Sequence, residues 1–156
     1  MRYASPCLIQ LTLAIPVLLT LAPCAGAGTV TETARKWGLI GPWSQDCSLP
    51  PDHDRGTVLI YAIARGDRLM LRRELGDARD DNEIVGAEAS ADGMLNLRVY
   101  FPSLRQTREY GLIRQPDGTM RAMYNRNRKG EYTIKDGKLT ANGNPTPPLH
   151  NCNAAS

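Results

Sequence analysis

Between residues 57 and 140 short apolar runs alternate with glycine-bearing turn signals: Arg65-Gly66-Asp67, Ala91-Asp92-Gly93, Pro116-Asp117-Gly118, Lys129-Gly130 and Asp136-Gly137. Each puts a glycine where a tight hairpin needs positive φ. The runs themselves carry a period of two, the mark of a half-buried strand. Arg68 to Leu75 sets Leu69, Leu71 and Leu75 against Arg68, Met70, Arg72 and Glu74, and Met94 to Phe101 sets Leu95, Leu97, Val99 and Phe101 against Asn96 and Arg98. Thr57 to Ile63 is apolar on both faces, Thr107 to Arg114 offers Tyr110 and Leu112, and Met120, Ala122, Tyr124, Tyr132 and Ile134 complete the series. The chain therefore reads as all-β, an antiparallel meander of about eight strands. Closing that meander into a small barrel leaves no unpaired edge, with a sandwich as the alternative.

Ahead of the strands, Trp37-Gly38-Leu39-Ile40-Gly41-Pro42-Trp43-Ser44-Gln45-Asp46-Cys47 gathers both tryptophans of the chain beside a cysteine. Each tryptophan buries roughly 150 to 250 Å² and dominates any core it enters. The stretch is expected to plug the container that the strands build. Thr31 to Trp37 is the one helical segment: Thr31 suits the cap, Glu32 the first turn, Arg35 and Lys36 the last, and Gly38 the stop.

Residues 1–27 read as an export signal, with Arg2 at the positive end, an apolar run from Leu8 to Leu21, and Ala25-Gly26-Ala27 as the cleavage site. Pro16 and Pro23 interrupt the run, which argues against an uncleaved transmembrane helix. Leu21-Ala22-Pro23-Cys24 resembles a lipoprotein signal, although Pro23 departs from it, so lipidation at Cys24 stays open. Cleavage leaves a single domain at 28–140 and a proline-rich tail at 141–156 holding Pro145, Pro147 and Pro148. It also removes Cys7 and Cys24, so Cys47 and Cys152 are expected to form one disulfide across the termini of a periplasmic or secreted protein. The tail is expected to be irregular and to cross the barrel end, bringing Cys152 to Cys47.

Gly41-Pro42-Trp43, preceded by a helical turn and followed by a strand meander and a disulfide to the tail, resembles the lipocalin-like (calycin) group, whose first strand opens on glycine, any residue, tryptophan. The wider pattern ending in Asp46-Cys47 is similar to small exported bacterial proteins. The lipocalin resemblance implies a cup for a small apolar ligand, with a late basic residue, Arg121 or Arg126, over the motif tryptophan. Trp43, Leu69, Leu71, Leu95, Leu97, Tyr110, Tyr124 and Tyr132 are then the candidates for lining it. The chain also resembles exported bacterial inhibitors of metalloproteases, small eight-stranded barrels. That resemblance implies a partner enzyme met by Thr29 to Lys36 as a free arm, but their disulfide lies within the N-terminal half.

Other chemistry finds little support. With 19 basic residues against 16 acidic ones the charge is near balance, and the only basic cluster, Arg121, Arg126, Arg128 and Lys129, reads as a solvated hairpin end rather than a nucleic-acid surface. His53 and His150 lie on proline-rich loops, and Asp77, Asp80, Asp81 and Glu83 lack the spacing of a calcium loop; both sets read as solvated, with no metal. No residue set forms a catalytic constellation. The expectation is a monomeric, non-enzymatic binding protein without a cofactor, free of the membrane after cleavage, taking a small apolar molecule or a partner protein.

Overall fold

In a computed structural model of the chain, residues 29–52 and 56–153 are described; the signal segment, Cys24 and His53 lie outside them. The hairpin chemistry of the sequence is realised at its turns, where Gly93 and Gly118 adopt φ of +85° and +83°. Those values are costly for residues bearing a Cβ. The strands so joined are β1 (Gly41–Ser44), β2 (Val58–Ala64), β3 (Arg68–Glu74), β4 (Arg79–Ala89), β5 (Leu95–Phe101), β6 (Gln106–Arg114), β7 (Met120–Asn127), β8 (Tyr132–Lys135), β9 (Lys138–Leu139) and β10 (His150–Asn151). They form one antiparallel sheet in the order β10-β1-β2-β3-β4-β5-β6-β7-β8-β9.

The sheet curls into a half-barrel, not the closed eight-stranded barrel expected from the sequence. The physical reason lies at its ends. The outermost strands β9 and β10 have 2 residues each, too few for a seam of ladder hydrogen bonds. The tail spans the gap instead. Leu149 exchanges two backbone hydrogen bonds of 2.8 Å with Met120 of β7, and the next two residues pair with β1. Cys152 N–H then donates to the Pro42 carbonyl at 2.9 Å. The proline-rich tail is thus regular at β10, contrary to expectation. Its other anchor is buried Thr146, whose hydroxyl donates to the Ala122 carbonyl at 2.8 Å and whose own carbonyl accepts from Arg121 Nε at 3.0 Å.

The disulfide is formed: Cys47 and Cys152 are bonded, with Cα atoms 5.3 Å apart across a sequence separation of 105.

A second correction concerns β4. Of the acidic residues read as a solvated hairpin end, Asp77 lies in the β3–β4 turn, but Asp80, Asp81 and Glu83 lie in the strand, stabilised because their carboxylates face the arginines of β3. Arg72 Nε lies 2.8 Å from Asp81, Arg73 pairs with Asp80, and Arg68 lies 3.7 Å from Glu83. Opposite charges in cross-strand register support pairing where isolated acidic side chains would favour a turn.

One helix, α1 (Val30–Trp37), caps the sheet against β3 and β4. Its cap is Thr29 rather than Thr31: the Thr29 hydroxyl accepts from Glu32 N–H at 3.2 Å, and Gly38 ends the helix at φ +80°. Thr31 is buried and donates to Asp67 in the β2–β3 turn at 2.7 Å, while Trp37 Nε1 donates to the Gly93 carbonyl in the β4–β5 turn at 2.9 Å. Thr29 to Lys36 is therefore a docked helix and not a free arm. Ala34, Leu39 and Trp43 enter the core with Leu69, Ile84, Leu95, Leu97 and Val99, and Trp43 Nε1 donates to the Leu39 carbonyl at 2.8 Å. The expected plug is present.

The basic residue over Trp43 is neither Arg121 nor Arg126. Arg114, at the end of β6, places its guanidinium 5.2 Å from the Trp43 ring and 5.4 Å from the Trp37 ring, and its Nη2 donates to the Gly38 carbonyl at 2.6 Å. Arg121 is engaged by the tail and Arg126 by Glu109.

Two outcomes follow for stability. Removing the clasp in a Cys47→Ala, Cys152→Ala variant is expected to cost about 4 kcal/mol, from the loop entropy released in the unfolded chain. Thermal denaturation should show this as a Tm lower by about 15 °C. Arg114→Ala should cost about 1 to 2 kcal/mol, since the cation lies at the surface, and should shift the tryptophan fluorescence; an unchanged spectrum would contradict the stacking.

Candidate functional site

The half-barrel leaves a cavity of about 550 Å³ in its concave face. It lies where a closed barrel would have its seam, between β2 and β3 on one flank and β6 to β9 on the other, with Pro147 and Leu149 of the tail crossing it. Apolar side chains make most of the wall, among them Leu59, Leu71, Leu112, Met120, Ile134 and Leu139. The polar wall residues are Gln45, Thr57, Tyr61, Arg73, Tyr110 and Asn125. Among the described residues the wall holds no histidine, cysteine or carboxylate.

Strict alternation puts Arg73 here. It follows Leu69 and Leu71 on the inward face of β3 and lies opposite Asp80 of β4. Its guanidinium rests on the Phe101 ring, 4.9 Å from the centroid, and Nε donates to Asp80 Oδ1 at 2.8 Å. The second bond of this bidentate pair runs from Nη2 to Oδ2. The hydrogen bonds from Arg73 hold the Asp80 carboxyl below its ordinary range, against burial and with help from Asn82. Asn82 is wholly buried and its Nδ2 donates to Asp80 at 2.8 Å and weakly to the Leu71 carbonyl at 3.4 Å. Both partners are acceptors, which fixes the orientation of the amide. Its Oδ1 is the buried side-chain polar atom without a hydrogen-bond partner among the described residues.

Across the cavity, Tyr110 and Asn125 face each other in the β6–β7 ladder. Arg108 Nε donates to Asn125 Oδ1 at 2.6 Å, and its Nη2 reaches the Thr133 hydroxyl at 3.3 Å. Burial pushes the Tyr110 hydroxyl up, although Arg73, Asn125 and Arg108 pull the other way. Burial raises Tyr61 further, with Tyr110 adding to it. Both phenols are therefore neutral donors at physiological pH.

The structure divides the candidate lining residues. Leu71 and Tyr110 stand on the cavity wall. Trp43, Leu69, Leu95 and Leu97 are packed in the core toward α1, each no more than 2% exposed. Tyr124 and Tyr132 lie on the other face of the sheet, where with Met94, Met123, Arg126 and Lys135 they line a smaller groove of about 320 Å³. A bulge explains this: Gly111 pairs with Tyr124 but Leu112 with Ala122, so Met123 is an extra residue that turns Tyr124 outward. The Tyr124 ring covers Gly111, where a Cβ would come within 2.2 Å of it, and its hydroxyl bonds Asn96 at 2.8 Å. Sequence reasoning missed Arg73, Arg108 and Asn125; for the two arginines the signal was their period-two relation to Leu71 and Leu112.

Among the described residues no group of three His, Cys, Asp or Glu side chains is placed to hold a metal, and no helix is long and apolar enough to cross a membrane. His150 is exposed on β10. Comparison with protein-family models, curated proteins and solved structures found no match to this chain.

The Arg73–Asp80 pair gives a pH dependence of stability. Because the folded carboxyl titrates below its unfolded value near 3.9, its contribution is complete above that value and is lost as pH falls through the folded pKa. Asp80→Asn should cost about 1 to 2 kcal/mol at pH 7, discounted for the partly solvated pair. Urea denaturation between pH 7 and 2 should show the variant losing less stability on acidification than the parent; parallel profiles would exclude the pair as a contributor.

Proposed function

We propose that the protein is a binding module that holds a small, largely apolar molecule in the concave cavity, working outside the cytosol in the periplasm or as a secreted protein. The observation that carries this reading is the cavity itself. Its volume of about 550 Å³ falls within the range of about 300 to 1,000 Å³ of small-molecule pockets. Magnitude argues against an empty void: at about 24 cal/mol per Å³ a dry space of that size would cost about 13 kcal/mol, as much as the whole stability of a typical domain. The space is instead open to exchange, and an apolar occupant gains by removing leucine and methionine surface from water. The extracellular setting is supported by the Cys47–Cys152 bond, which persists in oxidising compartments. Partner binding through Thr29 to Lys36 has less support, because that segment is α1 and would have to undock Thr31 and Ala34 first.

Titration with the neutral apolar fluorophore N-phenyl-1-naphthylamine tests the reading. Saturable, micromolar binding is expected for the parent. Ala122→Phe, which fills the cavity from β7, should weaken it at least tenfold while the protein remains folded by circular dichroism. Absence of saturable binding, or equal binding by the folded variant, would refute the proposal.

A further inference from the structure

We propose that the convex face of the sheet carries a second binding site, a groove for an acidic polysaccharide in which a sugar ring lies on Tyr100 and its carboxylate meets Arg105, Arg128 and Lys129. This site is separate from the concave cavity and does not depend on the reading above. Tyr100 alternates with the buried Val99 and Phe101 and so points outward. It lies opposite Thr107, and Arg108 lies opposite Asn127, which brings the β5–β6 turn beside the β7–β8 turn. Between the two turns is a groove of about 460 Å³, whose lining holds three cations and no carboxylate among the described residues. The basic cluster of the sequence is divided by the fold. Arg121 is held by the Thr146 carbonyl and Arg126 by Glu109, whereas Arg128 and Lys129 stand across the groove from Arg105.

Charge and ring exposure set this groove apart from the rest of the convex face. Arg68, Arg72 and Arg126 each have a carboxylate partner there. Among the described residues no hydrogen bond or ion pair engages the side chains of Arg105, Arg128 or Lys129. The carboxylate of the β7–β8 turn, Glu131, accepts from Asn127 Nδ2 at 2.6 Å, and Asn127 Oδ1 accepts from the Lys129 and Glu131 backbone N–H groups at 2.9 and 3.0 Å, which fixes the turn. Tyr124 carries the Arg126 guanidinium 5.8 Å from its ring and Tyr132 the Lys135 ammonium at 5.7 Å. Tyr100 is 39% exposed, and among the described residues neither a cation nor a second ring covers it. An open aromatic face can take the C–H face of a sugar, and free arginines can take its carboxylate bidentately. Gln106 and Thr107 add an amide and a hydroxyl for the sugar hydroxyls. An acidic peptide fits less well, because β5, β6 and β7 are each paired on both edges and offer no strand edge to a peptide backbone. A bilayer would rest on Leu104, which is 57% exposed on the β5–β6 turn but does not line the groove.

Fluorescence polarisation with fluorescein-labelled decagalacturonate tests the site. Saturable binding is expected, weakening with added salt as exposed charges are screened. Unlabelled maltodecaose, which is neutral, and deca-L-glutamate, which has the same number of carboxylates on a peptide, should each compete at least tenfold less well than unlabelled decagalacturonate. Replacing Arg128 and Lys129 together by alanine should lower affinity at least tenfold and flatten the salt dependence. Tyr100→Ala should lower it at least fivefold and leave the salt dependence as it was, a split that general attraction of a polyanion would not produce. Arg105 has φ of +48°, which glycine adopts readily, so Arg105→Gly removes a cation without burdening the fold. It should weaken binding three- to tenfold, and it decides the matter if the other variants unfold. Equal competition by deca-L-glutamate, or a Tyr100→Ala variant that binds like the parent, would overturn the sugar assignment. Absence of saturable binding would overturn the site, as would binding to phosphatidylglycerol vesicles alone that is lost in Leu104→Ala.

Discussion

The structure depends on the crossing of the tail from β7 to β1. A sheet whose end strands are this short has no hydrogen-bond ladder with which to close. Leu149 bonds Met120 on one flank, and Asn151 pairs with Trp43 on the other. The two-residue step between them sets the distance the gap must take. The disulfide then fixes the unfolded-state side of the same problem, because it joins the segments the crossing must bring together. Thr146 and Arg121 hold the approach to the crossing, so the strap is anchored before it spans.

The two ends of the concavity are treated differently, and that difference gives the cavity its place. Toward α1 the interior is filled by Trp43, Leu69, Leu95 and Leu97, sealed by a helix tied to the hairpin turns through Thr31 and Trp37. Arg114 lies across both tryptophans and the Gly38 carbonyl, fastening the helix end to β6. Away from α1 no tryptophan enters among the described residues, and the inward positions become Arg73, Tyr110, Asn125 and Ile134. The same alternation thus builds a packed base and an unfilled upper half from consecutive residues of the same strands.

Much of this was legible in the sequence. The glycine turns, the inward sets Leu69-Leu71 and Leu95-Leu97-Val99-Phe101, the helix before Gly38 and the pairing of Cys47 with Cys152 each follow from local chemistry. What was not legible depended on partners distant in sequence. Asp80, Asp81 and Glu83 resemble a loop until Arg73, Arg72 and Arg68 are set opposite them. Tyr124 shares the parity of Met120 and Ala122 along the chain, and only the pairing of β6 with β7 shows that Met123 breaks it. A closed barrel was inferred from strand number, but closure is decided by the lengths of the outermost strands, which a count does not weigh. Which arginine meets Trp43 is likewise a matter of where β6 ends, and no local pattern separates Arg114 from Arg121 or Arg126.

Arginine on an inward face is the point at which fold and function part. Where burial is meant only to stabilise, a position between Leu71 and Leu75 would carry another aliphatic side chain, since a desolvated ion pair gains little over hydrophobic packing. Here the cost is lowered in two ways: Asp80 neutralises the charge and Phe101 supplies a polarisable surface beneath it. Among the described residues Arg108 has amide and hydroxyl partners and no carboxylate. Apolar side chains of similar volume often match or better a buried ion pair, so packing alone does not account for Arg73 and Asp80 at these positions. The consequence is a cavity whose apolar wall carries the guanidinium of Arg73 and the phenols of Tyr61 and Tyr110 among its leucines.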